Sequence, residues 1–308
     1  MNLKDEIISN WRTDIVGFAQ TIVTLENSGF PCWTVKYPDT YGVAIPYSGT
    51  EEINEVFSNA RIKSDILNTN AGTEQKAIIL TADYSVAKES FSTLCEALIL
   101  PGENGNNRNK ILQSPVEWWQ DWKELLGNRN IDERIYDTLG ELCVFKYLIS
   151  LGKEANWDGP NSATYDIELE DGFVEVKSTT SRSKKEVTIS SQFQLDPPGK
   201  SLDLVLCIFE CSVFNGCSID SVVSELVGMG ISSDYINSRL SKKGLEKGMS
   251  ARKRLFILHD MLKYRIDDHF PRITPESFVD GVMPSGITKI TYTVSLDGLE
   301  SKSLLQGN

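Results

Sequence analysis

An acidic residue followed two places later by lysine occurs four times in this sequence: Glu74-Gln75-Lys76, Asp121-Trp122-Lys123, Glu175-Val176-Lys177 and Glu300-Ser301-Lys302. With a second carboxylate nearby, such a pair could hold a divalent cation and place an ammonium beside a metal-bound water. Two of the four have a second acid at the same spacing. Asp65 precedes Glu74 by nine residues, and Asp166 precedes Glu175 by nine. Spacing alone does not choose between them; the elements that carry them do.

Tyr165–Leu169 and Phe173–Ser178 read as strands joined by a turn containing Asp171-Gly172, a strong hairpin signal. Alternate strand residues share a face, so Phe173, Glu175 and Lys177 lie on one side and Val174 and Val176 on the other. With a two-residue loop at Asp171-Gly172, Asp166 faces Lys177 and Glu168 faces Glu175. Asp166 and Glu175 are then diagonal neighbours that one ion can bridge. Glu168 opposite Glu175 would be a repulsive pair, which a bound cation would offset. Glu74 follows the loop Asn68–Gly72 and reads as lying ahead of its strand, Asp121 falls on a Trp-rich helix, and Glu300 is near the C-terminus. These three read as solvated surface charges.

Upstream, Ile131–Leu151 reads as a long helix closed by Gly152. Glu141 sits on it with Val144, Phe145 and Leu148 as helical neighbours. A carboxylate on an apolar face needs a partner or must stay protonated, and a metal site would supply one. The competing interpretation is a surface Glu at the helix edge.

The rest of the chain must position these groups. Its 308 residues are 40% hydrophobic and 24% charged, enough for two or three domains with their own cores. We expect an N-terminal α+β domain over 1–110, a catalytic core over 111–217 and a mainly helical C-terminal region over 218–308. Short strands are expected at Cys32–Lys36, Tyr41–Ile45 and Lys76–Ala82, and a helix at Val86–Leu100. Pro101–Lys110, rich in Gly and Asn, reads as a linker. Ser114-Pro115 starts a helix whose Trp118 and Trp122 share a face, as packing residues. Within the core, Val187–Ser191 reads as a further strand and Leu202–Cys211, almost wholly apolar, as a strand buried on both faces. Beyond it, helices are expected at Ile219–Gly228, Ser232–Lys242 and Arg254–Ile266, and a strand at Ile287–Val294.

Six cysteines without C-x₂-C spacing and only two histidines argue against a structural zinc site and for reduced, mostly buried thiols. No stretch approaches the ~18 apolar residues of a membrane span, so a cytoplasmic protein is expected. The net charge of −12 speaks against a simple nucleic-acid-binding module. Within it, however, Arg239–Arg265 holds nine cations against two acids, Arg252, Lys253 and Arg254 among them. This stretch would track phosphates or dock an acidic partner. Lys184 and Lys185, just after the Glu175 strand, are placed for phosphate contact or form a solubilising turn.

Taken together, Gly140-Glu141 on a helix, Asp166 on a strand and Glu175-Val176-Lys177 on the next resemble the PD-(D/E)XK nuclease core of restriction enzymes, resolvases and exonucleases. GELCVFKYL, Trp157-Asp158-Gly159-Pro160, TYDIEL, GFVEVKST and ISSQFQL resemble more narrowly a bacterial family of PD-(D/E)XK motif proteins. Tyr165-Asp166 stands where the superfamily usually has Pro-Asp. The resemblance implies a mixed α/β (α+β) fold with a restriction-endonuclease-like αβββαβ core. It implies Mg²⁺, replaceable by Mn²⁺, held by Asp166, Glu175 and the backbone carbonyl of Val176. Lys177 would orient or activate the attacking water, Glu141 would assist the metal, and Gln194, or equally Gln192, would be a polar site residue. It further implies DNA as substrate and a setting in restriction or anti-phage defence beside a helicase-like ATPase or other subunits; because two DNA strands often require two active sites, a homodimer or larger complex is expected. The acidic charge leaves an alternative, a catalytically inactive DNA-binding or assembly subunit that keeps the nuclease fold.

Overall fold

The computed structural model describes the chain except Met1, Asp14, Ile15, Ser58, Ala71, residues 126–130, Ser162, Ala163, Pro198 and residues 306–308, together with the side chains of 123–134. The Lys123 side chain thus lies outside the described residues. The chain divides into two compact units, 1–129 with 247–250, and 130–246 with 251–308.

The first unit runs α1 (Leu3–Trp11), β1 (Gln20–Thr21), α2 (Val23–Glu26), β2 (Trp33–Lys36), β3 (Thr40–Pro46), β4 (Asn54–Phe57), β5 (Ala60–Asn68), β6 (Glu74–Asp83), α3 (Lys88–Ile99), α4 (Asn106–Gln113) and α5 (Pro115–Leu125). Its antiparallel sheet has the order β1-β2-β3-β6-β5-β4. Val43, Ile45, Ile78 and Leu80 form one core with Trp11, Phe91, Leu98 and Trp119 of the helices. Gly42 is required on β3: a Cβ there would run into the Leu80 carbonyl oxygen, and the Trp11 indole N–H bonds to the Gly42 carbonyl at 2.8 Å. Pro101–Lys110 is not a linker. Arg108 is buried and donates to the carbonyls of Ile99 (2.6 Å) and Pro31 (3.1 Å), which fastens α4 into this unit.

The second unit runs α6 (Ile131–Ser150), β7 (Ala155–Trp157), β8 (Ile167–Leu169), β9 (Gly172–Thr179), β10 (Glu186–Ile189), β11 (Ser201–Ser212), α7 (Ile219–Gly228), α8 (Ser233–Lys242), β12 (Leu255–Ile266), β13 (Tyr292–Ser295) and β14 (Lys302–Ser303). Its sheet has the order β14-β12-β11-β9-β8-β7, with β9 and β11 parallel. α6, α7 and α8 cover one face, where Leu142, Phe145, Val222 and Ile236 meet Val174, Val176, Val205 and Cys207. On the other face Leu202, Leu204 and Leu206 pack against Val187, Ile189 and Val294 of the β10–β13 ribbon. β11 is therefore buried on both sides, as its unbroken apolar run predicts.

The mixed α/β architecture is as expected, with three differences in wiring. β10 pairs with β13 rather than joining the main sheet. Among the described residues between β10 and β11 there are turns and no helix, and the further helices of the layer come after β11. Arg254–Ile266, expected as a helix, holds strand β12 from Leu255 onward, zipped to β11 from Leu202↔Ile266 to Ser212↔Leu255. Its sequence suits either periodicity, and the long ladder beside an existing strand decides for extended backbone.

Candidate active site

Asp166, expected on a strand, stands just ahead of β8, Glu175 and Lys177 lie on β9 as expected, and the hairpin register decides how they meet. Ile167 pairs with Val174 and Glu168 with Phe173, so the two-residue turn is Glu170-Asp171, not Asp171-Gly172. The slip is of two residues. Because side chains alternate with a period of two, it leaves the residues of β8 and β9 on their expected faces, whereas Tyr165, ahead of β8, stacks on Phe173 at 4.6 Å between ring centroids and not beside Ile167 and Leu169 as expected. It moves Glu168 away from Glu175, so the repulsive pair inferred from the sequence does not form. Glu168 is exposed and pairs with Lys200 at 3.4 Å.

Asp166 instead reaches across to β9, its Oδ2 accepting the Val176 N–H at 2.8 Å. Glu175 is 2% exposed. Its Oε1 takes the Lys177 ammonium at 2.8 Å and a short hydrogen bond from the Gln194 amide. Glu141 comes from α6, where Gly140 lets the helix approach β9: a Cβ at Gly140 would strike the Ser178 hydroxyl. Glu141 is buried, with Oε2 accepting from the Trp157 indole at 2.8 Å and Oε1 from Lys243 at 2.6 Å. Glu141, Asp166, Glu175, Val176, Lys177, Gln194 and Lys243 line one cavity of about 350 Å³, with Asp137 and Thr138 of α6.

Electrostatics set this cavity apart. Burial, then the neighbouring Asp166 charge, pushes Glu175 up to about 8 against the pull of Lys177. Burial and Asp166 push Glu141 up to about 7, although Lys243 and the Trp157 indole work the other way. Asp166 is also raised by burial, opposed by the Val176 N–H and by Lys177 and Lys243. Burial alone would lower Lys177, but Glu175, Asp166 and Asp137 outweigh it and hold the ammonium above its ordinary value. Three acids crowded out of water are short of positive charge.

The structure thus brings together Asp166, Glu175, Lys177, Glu141 and Gln194. Between the two glutamines it separates roles: Gln194 lines the cavity, whereas the Gln192 side-chain oxygen accepts from the Ile290 N–H at 3.1 Å. The cations proposed for phosphate contact lie outside the lining. Lys184 pairs with Glu186 at 2.7 Å, and Lys185 is half-buried with its carbonyl bonded to Leu296. Arg252 is 2% exposed and donates to Asp220 at 2.7 Å and Asn237 at 2.8 Å, so its guanidinium is committed to the fold. Lys253 and Arg254 are exposed on the run into β12. The decoy acids diverge: Glu74 is the exposed first residue of β6, within the strand rather than ahead of it, and Asp65 pairs with Lys63 at 2.6 Å. Sequence reasoning missed Lys243 and Trp157. The signal was indirect, a buried Glu141 that needed partners, and spacing could not select Lys243 from the nine cations of its stretch.

Among the described residues, no three or more Asp, Glu, His or Cys side chains already surround one point as a metal cage. The expected donor set has two carboxylates and one backbone carbonyl, all oxygen, which suits a hard divalent ion that keeps several waters. Glu175 Oε2 and Asp166 Oδ1 carry none of the bonds described above. Among the described residues no helix is long and apolar enough to cross a membrane. No curated protein and no solved structure matches the chain. Residues 19–297 match the family described as "Putative PD-(D/E)XK family member, (DUF4420)", and the chain, with its acid-and-lysine cavity at the β8–β9 hairpin, belongs to that family.

Proposed function

We propose that this protein is a Mg²⁺-dependent nuclease that hydrolyses phosphodiester bonds in DNA, with Mn²⁺ able to substitute. The supporting observation is the convergence of Asp166, Glu175 and Lys177, from two neighbouring strands, on one cavity. Asp166, Glu175 and the Val176 carbonyl would hold the ion, with Glu141 assisting. A bound divalent ion supplies a Lewis acid that makes hydroxide available near neutral pH and offsets charge on the phosphate. Lys177 orients the attacking water and steadies the extra negative charge that develops on phosphorus. Gln194 fixes Glu175 through Oε1, the same oxygen that Lys177 holds, which keeps the carboxylate from rotating. Trp157 does the same for Glu141. A place in a bacterial defence system beside a helicase-like ATPase follows from the family resemblance and belongs to the same proposal.

The test is cleavage of plasmid and linear DNA by purified protein in Mg²⁺ or Mn²⁺, with and without partner subunits. Lys177→Ala should lower the rate by roughly 10²–10³-fold, the loss expected when one transition-state contact is removed. Absence of any cleavage under all these conditions refutes the proposal.

A second function, a non-catalytic DNA-binding or assembly subunit, is favoured by the net charge of −12. Ion pairs that occupy many of the basic residues add to it, such as Arg252 with Asp220 and Lys263 with Asp203. DNA binding that is indifferent to Asp166→Ala, with no cation-binding signal, would select it.

A further inference from the structure

Lys243 is the C-cap residue of α8, where the negative end of the helix favours a cation. The helix is pinned just ahead of it to the loop between β7 and β8. Arg239 donates to the Trp157 carbonyl at 2.6 Å and to Asp158 at 3.1 Å, Lys242 donates to Asn161 at 2.6 Å, and the Tyr235 hydroxyl accepts the Trp157 N–H at 2.8 Å. The loop is in turn tied to the site, because the N–H groups of Asp158 and Gly159 both bond to the Asp166 carbonyl, at 2.9 and 3.0 Å. A braced backbone therefore delivers the Lys243 ammonium into the cavity, where it seats on Glu141 Oε1.

The cavity thus holds two ammoniums, each resting on an acid: Lys177 on Glu175 and Lys243 on Glu141. With Asp137 four carboxylates line the cavity against these two ammoniums, so one divalent ion and one singly charged phosphodiester would leave the loaded site with a single net negative charge. Without Lys243 that excess would grow by one more negative charge in a largely desolvated place, which is costly. We infer that Lys243 is a phosphate-binding cation of this site. In the metal-free protein it serves as counterion to Glu141, and on loading it passes to a non-bridging oxygen of the substrate phosphodiester while the ion takes over the carboxylates. Its flexible four-carbon stem and compact charge suit such an exchange. The inference rests on the proposed nuclease function.

Two measurements test it. The first is binding of a dye-labelled DNA duplex in Ca²⁺, which allows loading without turnover, followed by anisotropy across a salt series. Lys243→Met should bind about tenfold more weakly with a salt slope smaller by about one. Lys243→Arg should keep most of the affinity, and Lys153→Met, an equal loss of charge outside the cavity, should match the wild type. The second uses unmodified protein and so does not depend on a variant folding: lysine acylation mapped by mass spectrometry. Lys243 labelling should rise when Ca²⁺ is added and fall again with the DNA duplex. Binding by Lys243→Met within twofold of wild type, or labelling indifferent to Ca²⁺, overturns the assignment while leaving the nuclease proposal standing. Wild-type protein that neither binds nor cuts DNA overturns both.

Discussion

Replacing Glu175 by Gln in the metal-free protein should reverse the usual expectation that deleting a buried ion-pair partner weakens a fold, and should do so increasingly with pH. Glu175 is 2% exposed, and burial beside Asp166 raises it from 4.5 to about 8. Between those two values the folded chain keeps a proton that the unfolded chain has already released. Unfolding then releases a proton, so stability falls as pH rises, by up to about 1.4 kcal/mol per unit, until the pH passes about 8. Glutamine resembles the protonated acid in shape and still accepts from Lys177, but does not titrate. Its pH-independent cost, part of the Lys177 pairing, cancels when variant and wild type are compared at two pH values. The stability difference should therefore shift in favour of the variant by about 3 kcal/mol between pH 5 and pH 8, discounted from the full slope for relaxation of the site. The assay is urea unfolding in EDTA followed by tryptophan fluorescence at a series of pH values. Saturating Mg²⁺ should flatten the wild-type profile, since a bound cation replaces the missing positive charge. Parallel profiles for wild type and variant, within about 0.5 kcal/mol of each other, would refute this account of the acid cluster.

Gly159→Ala should lower cleavage by roughly tenfold or more at little cost in stability, because a Cβ there comes 2.7 Å from Asp166 Oδ1 and 3.3 Å from Glu141 Oε2; steady-state kinetics beside a melting curve checks it. Gly42→Ala should destabilise the first unit by about 2 kcal/mol or more, since the Leu80 carbonyl cannot move aside without breaking the β3–β6 ladder; denaturant unfolding reads this. Arg252→Ala should cost about 2 kcal/mol of stability, the pair being shielded at the arginine but half-open at Asp220, while leaving the salt dependence of DNA binding unchanged.

What the sequence determined by itself is local. A strict period of two put Glu175 and Lys177 on one face of a strand and Val174 and Val176 on the other, and that assignment survived a two-residue error in register because an even slip preserves faces. The uninterrupted apolar run of β11 announced a strand covered on both sides. Glu141, set among apolar helical neighbours, announced an acid in need of partners, and it has them. What only the tertiary structure decided is which distant groups meet. Lys243 reaches Glu141 across about a hundred residues of chain, and Trp157 and Gln194 fix carboxylates on elements other than their own. The basic stretch Arg239–Arg265 looked continuous in sequence but breaks into a helix, a buried guanidinium on Asp220 and a strand paired to β11. Such encounters follow from long-range packing and pairing. The helix-or-strand choice at 254–266 was likewise made by the neighbouring strand that its backbone could bond to, a partner that no local spacing encodes.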